Sequence, residues 1–411
     1  MDNTLLLQID KAKIKLNSRE RRILLVTCFG HFMSHFNMLV FPALLLPITS
    51  YLHLSIAHTL GLSFWMYLLF GVTALPWGVA ADKAGAKPLM LIFYAGAGLS
   101  GLSAAMWLDS PSLFALALAC LGLFSGIYHP TGLGLISKEV ERVSLAMGYN
   151  GMFGNLGLAV APLLAGLFNW LWGIKAAYVA VGLMNFIGLG LTLSISTSSR
   201  HELVRAQAQD HNRSLKPFLI LLAAMMLGGI AYRGATVMLP AYFELKTPAI
   251  FRLLSETLSK SLSTNLVATS ITSFIYLIGI IGQYTGGRIA ERYQPKYCYL
   301  IFHSAVIPTA FLISLVSNIP LVGLTMIYFF FLLGMQPIEN TLVASFTPKR
   351  FHHSAFGMKF ILTFGVGSLS VKMLEYIQGH WGIESTFRCL GLVSVALVII
   401  IVVLLRVIRK R

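Results

Sequence analysis

The chain is made of long apolar runs separated by short charged stretches, and the length of those runs limits what it can become. A bilayer's hydrocarbon core is about 30 Å thick, so a helix needs roughly 20 apolar residues to cross it. About twelve runs reach that length, centred on residues 22–49, 56–80, 88–108, 112–137, 145–170 and 176–196, then 217–244, 263–289, 297–316, 320–346, 354–379 and 384–405. Of the 411 residues, 56% are hydrophobic and only 11% charged, more apolar surface than a water-soluble core can hide. The expectation is an all-α membrane protein with twelve transmembrane helices.

A net charge of +16 would point to nucleic acid in a soluble protein, but its placement argues otherwise. With both termini cytoplasmic, about 23 of the 31 Lys and Arg fall in the N-terminal tail, the even-numbered loops and the closing RVIRKR, against about five in the odd-numbered loops. That asymmetry predicts a multi-pass inner (plasma) membrane protein with its basic tails beside anionic lipid and no nucleic-acid partner. The first apolar run is too long for a cleavable signal. Cys28, Cys120, Cys298 and Cys389 are scattered without a CxxC spacing, so free thiols are expected, with no disulfide, metal or cofactor role.

Residues 197–216, TSSRHELVRAQAQDHNRSLK, divide the predicted helices six and six. The expected organisation is an N-terminal tail (1–21), a first bundle (22–196), a cytoplasmic linker (197–216), a second bundle (217–405) and a basic tail (406–411). The first helices of the halves match: GHFMSHFNMLVFPA at 30–43 and GGIAYRGATVMLPA at 228–241 both open on Gly and close on Pro-Ala, which aligns His35 with Arg233. After the second helices, GVAADKAGAK at 78–87 matches GRIAERYQPK at 287–296, aligning Asp82 with Glu291 and Lys83 with Arg292. Two matches in the same order indicate duplication. Repeated six-helix halves are related by an axis along the membrane normal, with a substrate site between them near mid-membrane and access that alternates as the halves rock.

GVAADKAGAK also resembles the loop signature of the major facilitator superfamily, G-x-x-x-D-(R/K)-x-G-x-(R/K), through Gly78, Asp82, Lys83, Gly85 and Lys87, with Ala86 at a commonly basic position. The resemblance implies a cytoplasmic latch that includes Glu291 and Arg292, in which Asp82 sits against a helix N-terminus and nearby cations. Residues 122–167, with His-Pro in the fourth helix and GN-x-G then Pro-Leu in the fifth, resemble the fosmidomycin-resistance branch of drug exporters. Gly154, Gly157, Pro162 and Gly166 approximate the Gly-Pro motif of drug and proton antiporters, though Ala161 replaces the Gly before that proline. The resemblance implies that this kink biases which way a pump faces; plain close packing of small residues explains the same glycines.

Polar side chains inside the apolar runs are the remaining clues. Arg233 has no acidic neighbour in sequence and costs roughly 2.5–3.5 kcal/mol at a helix centre, so it needs an anion, a wet cavity or a distant carboxylate. Glu339 is one candidate partner, on a polar stripe with Gln336 and Asn340 that Pro337 loosens. Lys359, aligned with Asn150 by the repeat, can pair with Glu339 or meet substrate. Lys372 and Glu375, at i and i+3, are expected to pair with each other. His31 and His35 share a helix face; His31 is expected to bond a neighbouring helix, and His35 to face the cavity, where its charge can follow pH. His129 precedes Pro130, where a kink frees backbone groups toward a cavity.

Excess positive charge in the second half, with histidines in the first, points to an anionic or zwitterionic substrate. The leading expectation is a monomeric secondary transporter of small organic solutes, partnered by protons and lipid and working as a proton-coupled exporter. The alternative is an importer of a nutrient, a carboxylate or a metal–siderophore chelate, since the fold permits both directions. An enzyme is disfavoured: His31 and His35 have the spacing of a metal pair, but the glutamate of HExxH is missing and no third ligand is evident. A receptor or scaffold would have to use a surface such as the amphipathic stretch 246–262, which reads more simply as lying on the lipid.

Overall fold

The computed structural model describes residues 16–196, 215–258, 262–347 and 357–409. The N-terminal tail through residue 15, all but the last two residues of the expected linker, and residues 410–411 lie outside them. The first half comprises α1 (Ser18–Ala43), α2 (Leu45–Leu52), α3 (Ile56–Leu62), α4 (Phe64–Val72), α5 (Ala74–Ala84), α6 (Ala86–Met106), α7 (Pro111–Ser125), α8 (Tyr128–Glu139), α9 (Val143–Trp172) and α10 (Ile174–Leu193). The second comprises α11 (Leu215–Lys246), α12 (Pro248–Leu258), α13 (Thr264–Arg292), α14 (Pro295–Ile313), α15 (Asn318–Phe346), α16 (Leu369–Trp381) and α17 (Ser385–Arg409). Among the described residues, eleven helical spans are long and apolar enough to cross a membrane, and the pair Leu45–Leu52 and Ile56–Val72, bent by 108°, makes a twelfth if taken as one span.

The halves repeat the same packing. In the first, α1 lies on α9, α4 on α7, and α6 on α10; in the second, α11 lies on α16 and the irregular turns before it, α13 on α15, and α14 on α17. Two proline contacts carry the repeat to the level of atoms. A Cβ on Gly78 would meet Pro130 at 3.2 Å, and one on Gly287 would meet Pro337 at 3.8 Å. Gly78 and Gly287 are the aligned first residues of the matched loops, so each half presses a small residue of its second span onto the proline of its fourth.

Two spans depart from the single helices expected. The second breaks at Ser63 and Thr73, whose hydroxyls donate to the carbonyls of Leu60 and Leu69 at 2.8 and 2.6 Å, taking acceptors from the backbone ladder; Pro76 then leaves the Val72 carbonyl without its helical donor. The eleventh is distorted by a π turn over Ile361–Gly365 and a 3₁₀ turn over Val366–Ser368. Gly71 and Gly365 touch backbone to backbone, and a Cβ on Gly71 would fall inside that contact. Side chains are excluded there by the close approach of the two backbones.

Ser18, the α5–α6 and α8–α9 turns, Leu193, Leu215 and Arg409 share one end of the bundle, here the tail side. Lys87 donates to the Ile195 carbonyl at 2.5 Å and Lys138 pairs with Asp82 at 3.0 Å across this end. At the opposite, far side, the described part of the 246–262 stretch includes the helix α12 (Pro248–Leu258).

Candidate functional site

The polar side chains in the membrane-depth interior of the first half are neutral, and Asn37 with Asn185 and Asn150 with His31 bond one another. Asn37 and Asn185 bond each other at 3.0 Å, and Asn37 donates to Ser125 at 3.0 Å, tying α1, α7 and α10 in the dry interior. Asn150, expected at the cavity by its alignment with Lys359, is fully buried instead. Its amide donates to the Tyr128 hydroxyl at 2.7 Å, and Tyr128 donates on to the Thr27 carbonyl at 2.7 Å. That chain fixes the amide: its Oδ1, with the Asn150 backbone carbonyl, faces His31 Nδ1 at 2.8 and 2.9 Å. Two oxygen acceptors require a proton on Nδ1, so His31 Nε2 carries a free lone pair.

His31 therefore bonds a neighbouring helix as its sequence suggested, and its Nε2 lies 3.2 Å from Nε2 of His35. The third imidazole, which sequence spacing did not reveal, is His129, delivered by the break between α7 and α8 at Pro130. Ligand nitrogens of all three lie within 4.8 Å of one another. His129 is buried and neither ring nitrogen has a partner, an arrangement costing about 1–3 kcal/mol per unsatisfied group. The expected packing glycines serve this cluster: a Cβ at Gly154 would enter the His31 ring, and one at Gly157 would strike the Phe32 carbonyl. Gly166 sits against Thr269 of the other half. Beside Pro162, the Leu163 N–H donates across the seam to Ser273 at 2.9 Å.

The second half is ionic. Arg233 is 3% exposed, its guanidinium 4.2 Å from the ring centre of Tyr67 and 5.8 Å from that of Phe364. Tyr67 belongs to the first half, so Arg233 reaches into the seam, where stacking on aromatic faces offsets part of its desolvation. Its Nε has no hydrogen-bond partner. Of the two partners the sequence offered Glu339, the structure selects Lys359, at 2.8 Å, and not Arg233; Glu339 also accepts from Tyr299 at 2.9 Å. The reason is geometric, since Glu339 points back toward α14 and the eleventh span, away from the seam. Lys359 also donates to exposed Asn340 at 2.5 Å, so its amino group stands between the buried carboxylate and solvent.

Gln336 belongs to a third group. It accepts from Gln283 at 2.9 Å, and Gln283 accepts from Asn155 of α9 at 2.6 Å, an amide relay across the seam that the sequence did not disclose. Lys372 and Glu375 pair at 2.7 Å as expected. Phe360 and Phe364 were missed as well: they stack on His129 with ring centres 5.0 and 6.0 Å away. A consecutive Gly-rich stretch, FILTFGVG, was the available signal.

The candidate latch residues are bonded within the first half or exposed. Asp82 pairs with Lys138 and Lys87 caps the end of α10, both within the first half; Lys83, Glu291 and Arg292 are exposed. Among the described residues, none of these bridges the halves. The cross-half bonds lie elsewhere: Asn265 donates to the Ala43 carbonyl at 2.8 Å and accepts from Asn169 at 3.1 Å, Leu163 donates to Ser273, and Asn155 to Gln283. They run from the far side to mid-depth.

Two bundles of six spans, packed by the same rules around a polar seam, have the architecture of a transporter. The family model of the Major Facilitator Superfamily matches residues 27–371, and the chain belongs to that superfamily. It is 26% identical over 241 residues to the enterobactin exporter EntS of Salmonella typhimurium (strain LT2), covering 54% of this chain and 53% of that protein. The corresponding protein of Escherichia coli O1:K1 is 25% identical over 242 residues, with the same shares covered. The chain thus matches about half the length of these curated relatives. Among solved structures, a D-xylose–proton symporter superposes with a TM-score of 0.74 at 12% identity, over 93% of this chain and 97% of that one. A point mutant of the nucleoside transporter NupG gives 0.72 at 15%, over 94% and 100%. At such identities these two establish the fold alone, which is that of transporters and not of enzymes.

Proposed function

We propose that this transporter exports a small anionic or zwitterionic organic solute across the inner membrane, driven by protons, with its tails cytoplasmic and acting as a monomer. The observation that carries the reading is Arg233: a guanidinium buried in the seam between Tyr67 and Phe364, its Nε unpartnered. An arginine with stacking on its faces and a free donor edge is prepared for a carboxylate or phenolate. The resemblance to enterobactin exporters supports outward movement.

Glu339 supplies a proton-sensitive element in this reading. Protonating it breaks the pair with Lys359 and frees an ammonium beside Asn340, which a second charge near the tail side would feel. The seam bonds from Asn265 to Gln283 hold the far side shut, so the state described faces the tails. Gln336, Gln283 and Asn155 then act as the hinge-depth contact, and Asp82 with Lys83, Gly78 and Gly85 forms the latch only when the tail side closes. The proposed bundle limits are 22–196 and 217–405.

Flux from proteoliposomes under an imposed pH gradient tests the reading, with enterobactin and simple carboxylates as solutes. Export is expected to be lost in Arg233→Ala at any gradient, and in Glu339→Gln to lose its dependence on pH. Unaltered pH-driven flux in both variants overturns it.

A further inference from the structure

We propose that His31, His35 and His129 form a binding site for one divalent transition-metal ion of the zinc, cobalt or nickel class. Imidazole is a good ligand for these ions. Zinc–nitrogen bonds of about 2.0–2.1 Å set the ligand nitrogens of a tetrahedral site roughly 3.3 Å apart. His31 and His35 already place their Nε2 atoms 3.2 Å apart. All three ligands lie within 4.8 Å, so the widest edge has to close by only about 1.5 Å, within reach of a His129 ring rotation.

Three further features separate this cluster from packed core histidines. The His31 tautomer is fixed by oxygen acceptors on Nδ1, which aims a lone pair at the centre of the cluster. A ligating histidine whose other nitrogen donates to a carbonyl is the usual outer-shell arrangement of metal sites, and here Asn150 is that outer residue. His129 is buried with both ring nitrogens unpartnered, so a metal ion would satisfy one of them. Finally, Phe70, Phe360 and Phe364 pack around His129 at 5.8, 5.0 and 6.0 Å, a dry wall that strengthens coordination.

Three neutral imidazoles leave a fourth position open. Arg233 lies over the Phe364 ring that stacks on His129, so its positive charge opposes that of the ion. The ion therefore enters with an anion in the open position: chloride, hydroxide or a carboxylate. Phe360 and Phe364 come from the second half, so filling the site favours a closed seam. The site needs no assumption about export, although an anionic ligand shared with Arg233 would extend that reading to chelated metal.

The test is cobalt(II) titration of the purified full-length chain in detergent, read by visible absorption. Four-coordinate cobalt absorbs far more strongly than the hexaaqua ion. About one equivalent with an intense four-coordinate spectrum is expected, displaced by zinc. His129→Gln and His35→Gln should each weaken binding at least tenfold. Asn150→Ala, which keeps all three ligands, should weaken it roughly 10- to 100-fold. His58→Gln with His380→Gln, removing exposed imidazoles elsewhere, should leave the spectrum intact. Circular dichroism of each variant confirms folding. A hexaaqua-like spectrum in the wild type, or a four-coordinate one unchanged by both His129→Gln and His35→Gln, overturns the site. Binding is read without gradient or solute, so its failure and that of the export reading are separately visible.

Discussion

The two halves share a packing plan but differ in chemistry. Where the first places His31, His35 and Asn150, linked by neutral hydrogen bonds, with His129 beside them, the second places the ion pair of Glu339 and Lys359 and the lone charge of Arg233. The aligned positions make the contrast sharp: His35 against Arg233, and Asn150 against Lys359. Each of Asn150 and Lys359 bonds a group on its own half, Asn150 to His31 and Lys359 to Glu339. Duplication preserved the scaffold, and substitution at matched positions divided the labour. On the proposed reading, the neutral half binds a metal ion, whereas the ionic half grips an anion and responds to protons.

If that division is right, the ionic half breaks hardest. Removing one partner of a buried pair costs about 3–5 kcal/mol, so Glu339→Gln alone or Lys359→Met alone should lower unfolding stability by that order. The double variant should be less damaged than the sum of the two, measured by denaturant unfolding in detergent. Strict additivity would show that the pair is not coupled. Arg233→Ala should next weaken binding of an anionic solute by about 2–5 kcal/mol, read as loss of solute-induced thermal stabilisation.

In the neutral half, Gly154→Val should drive a side chain into the His31 ring at a cost of about 1–3 kcal/mol, with Gly190→Val, at a site where a Cβ meets nothing, as the contrast. Equal effects of the two would remove the steric account. Asn37→Ala should cost only about 0.6 kcal/mol, the average for an interhelical hydrogen bond in a membrane protein.

The smallest effect lies outside the membrane. Hydrogen bonding to Lys246, joined by its own backbone N–H, holds the Glu384 carboxyl below the usual glutamate range. A depressed carboxyl stabilises the fold above its unfolded pKa and loses that contribution as pH falls through the folded value. Glu384→Gln should therefore cost a few tenths of a kcal/mol at neutral pH, screening included, and progressively less as pH falls below the usual glutamate value of about 4.3. A cost that persists in acid would show that charge is not the cause.

Much of this was legible beforehand because a bilayer imposes length and polarity on each span. The termini of α7–α8 and α9 fall within a few residues of the apolar limits, and free cysteines are what their spacing implied. The repeat was readable because both halves keep glycines and a Pro-Ala at matched spacing, and the contacts of Gly78 and Gly287 with prolines extend it to the packing. The broken second span was not, since Ser63 and Thr73 bend a helix by local bonds that apolar periodicity does not register. The partner of Glu339 was open among Arg233 and Lys359, because both lie far from it in sequence and only side-chain direction separates them.

The sequence by itself determined the number of spans, their division into two halves and the family, because these depend on how much apolar chain a bilayer requires and on motifs read in order. Only the tertiary structure decided which polar groups meet. His129 joins His31 and His35, Lys359 takes Glu339, and Arg233 is left in the seam with its Nε free. Such pairings depend on helix rotation and on breaks at Pro130 and Gly365, where a change of a few ångströms gives a buried charge a partner or leaves it without one.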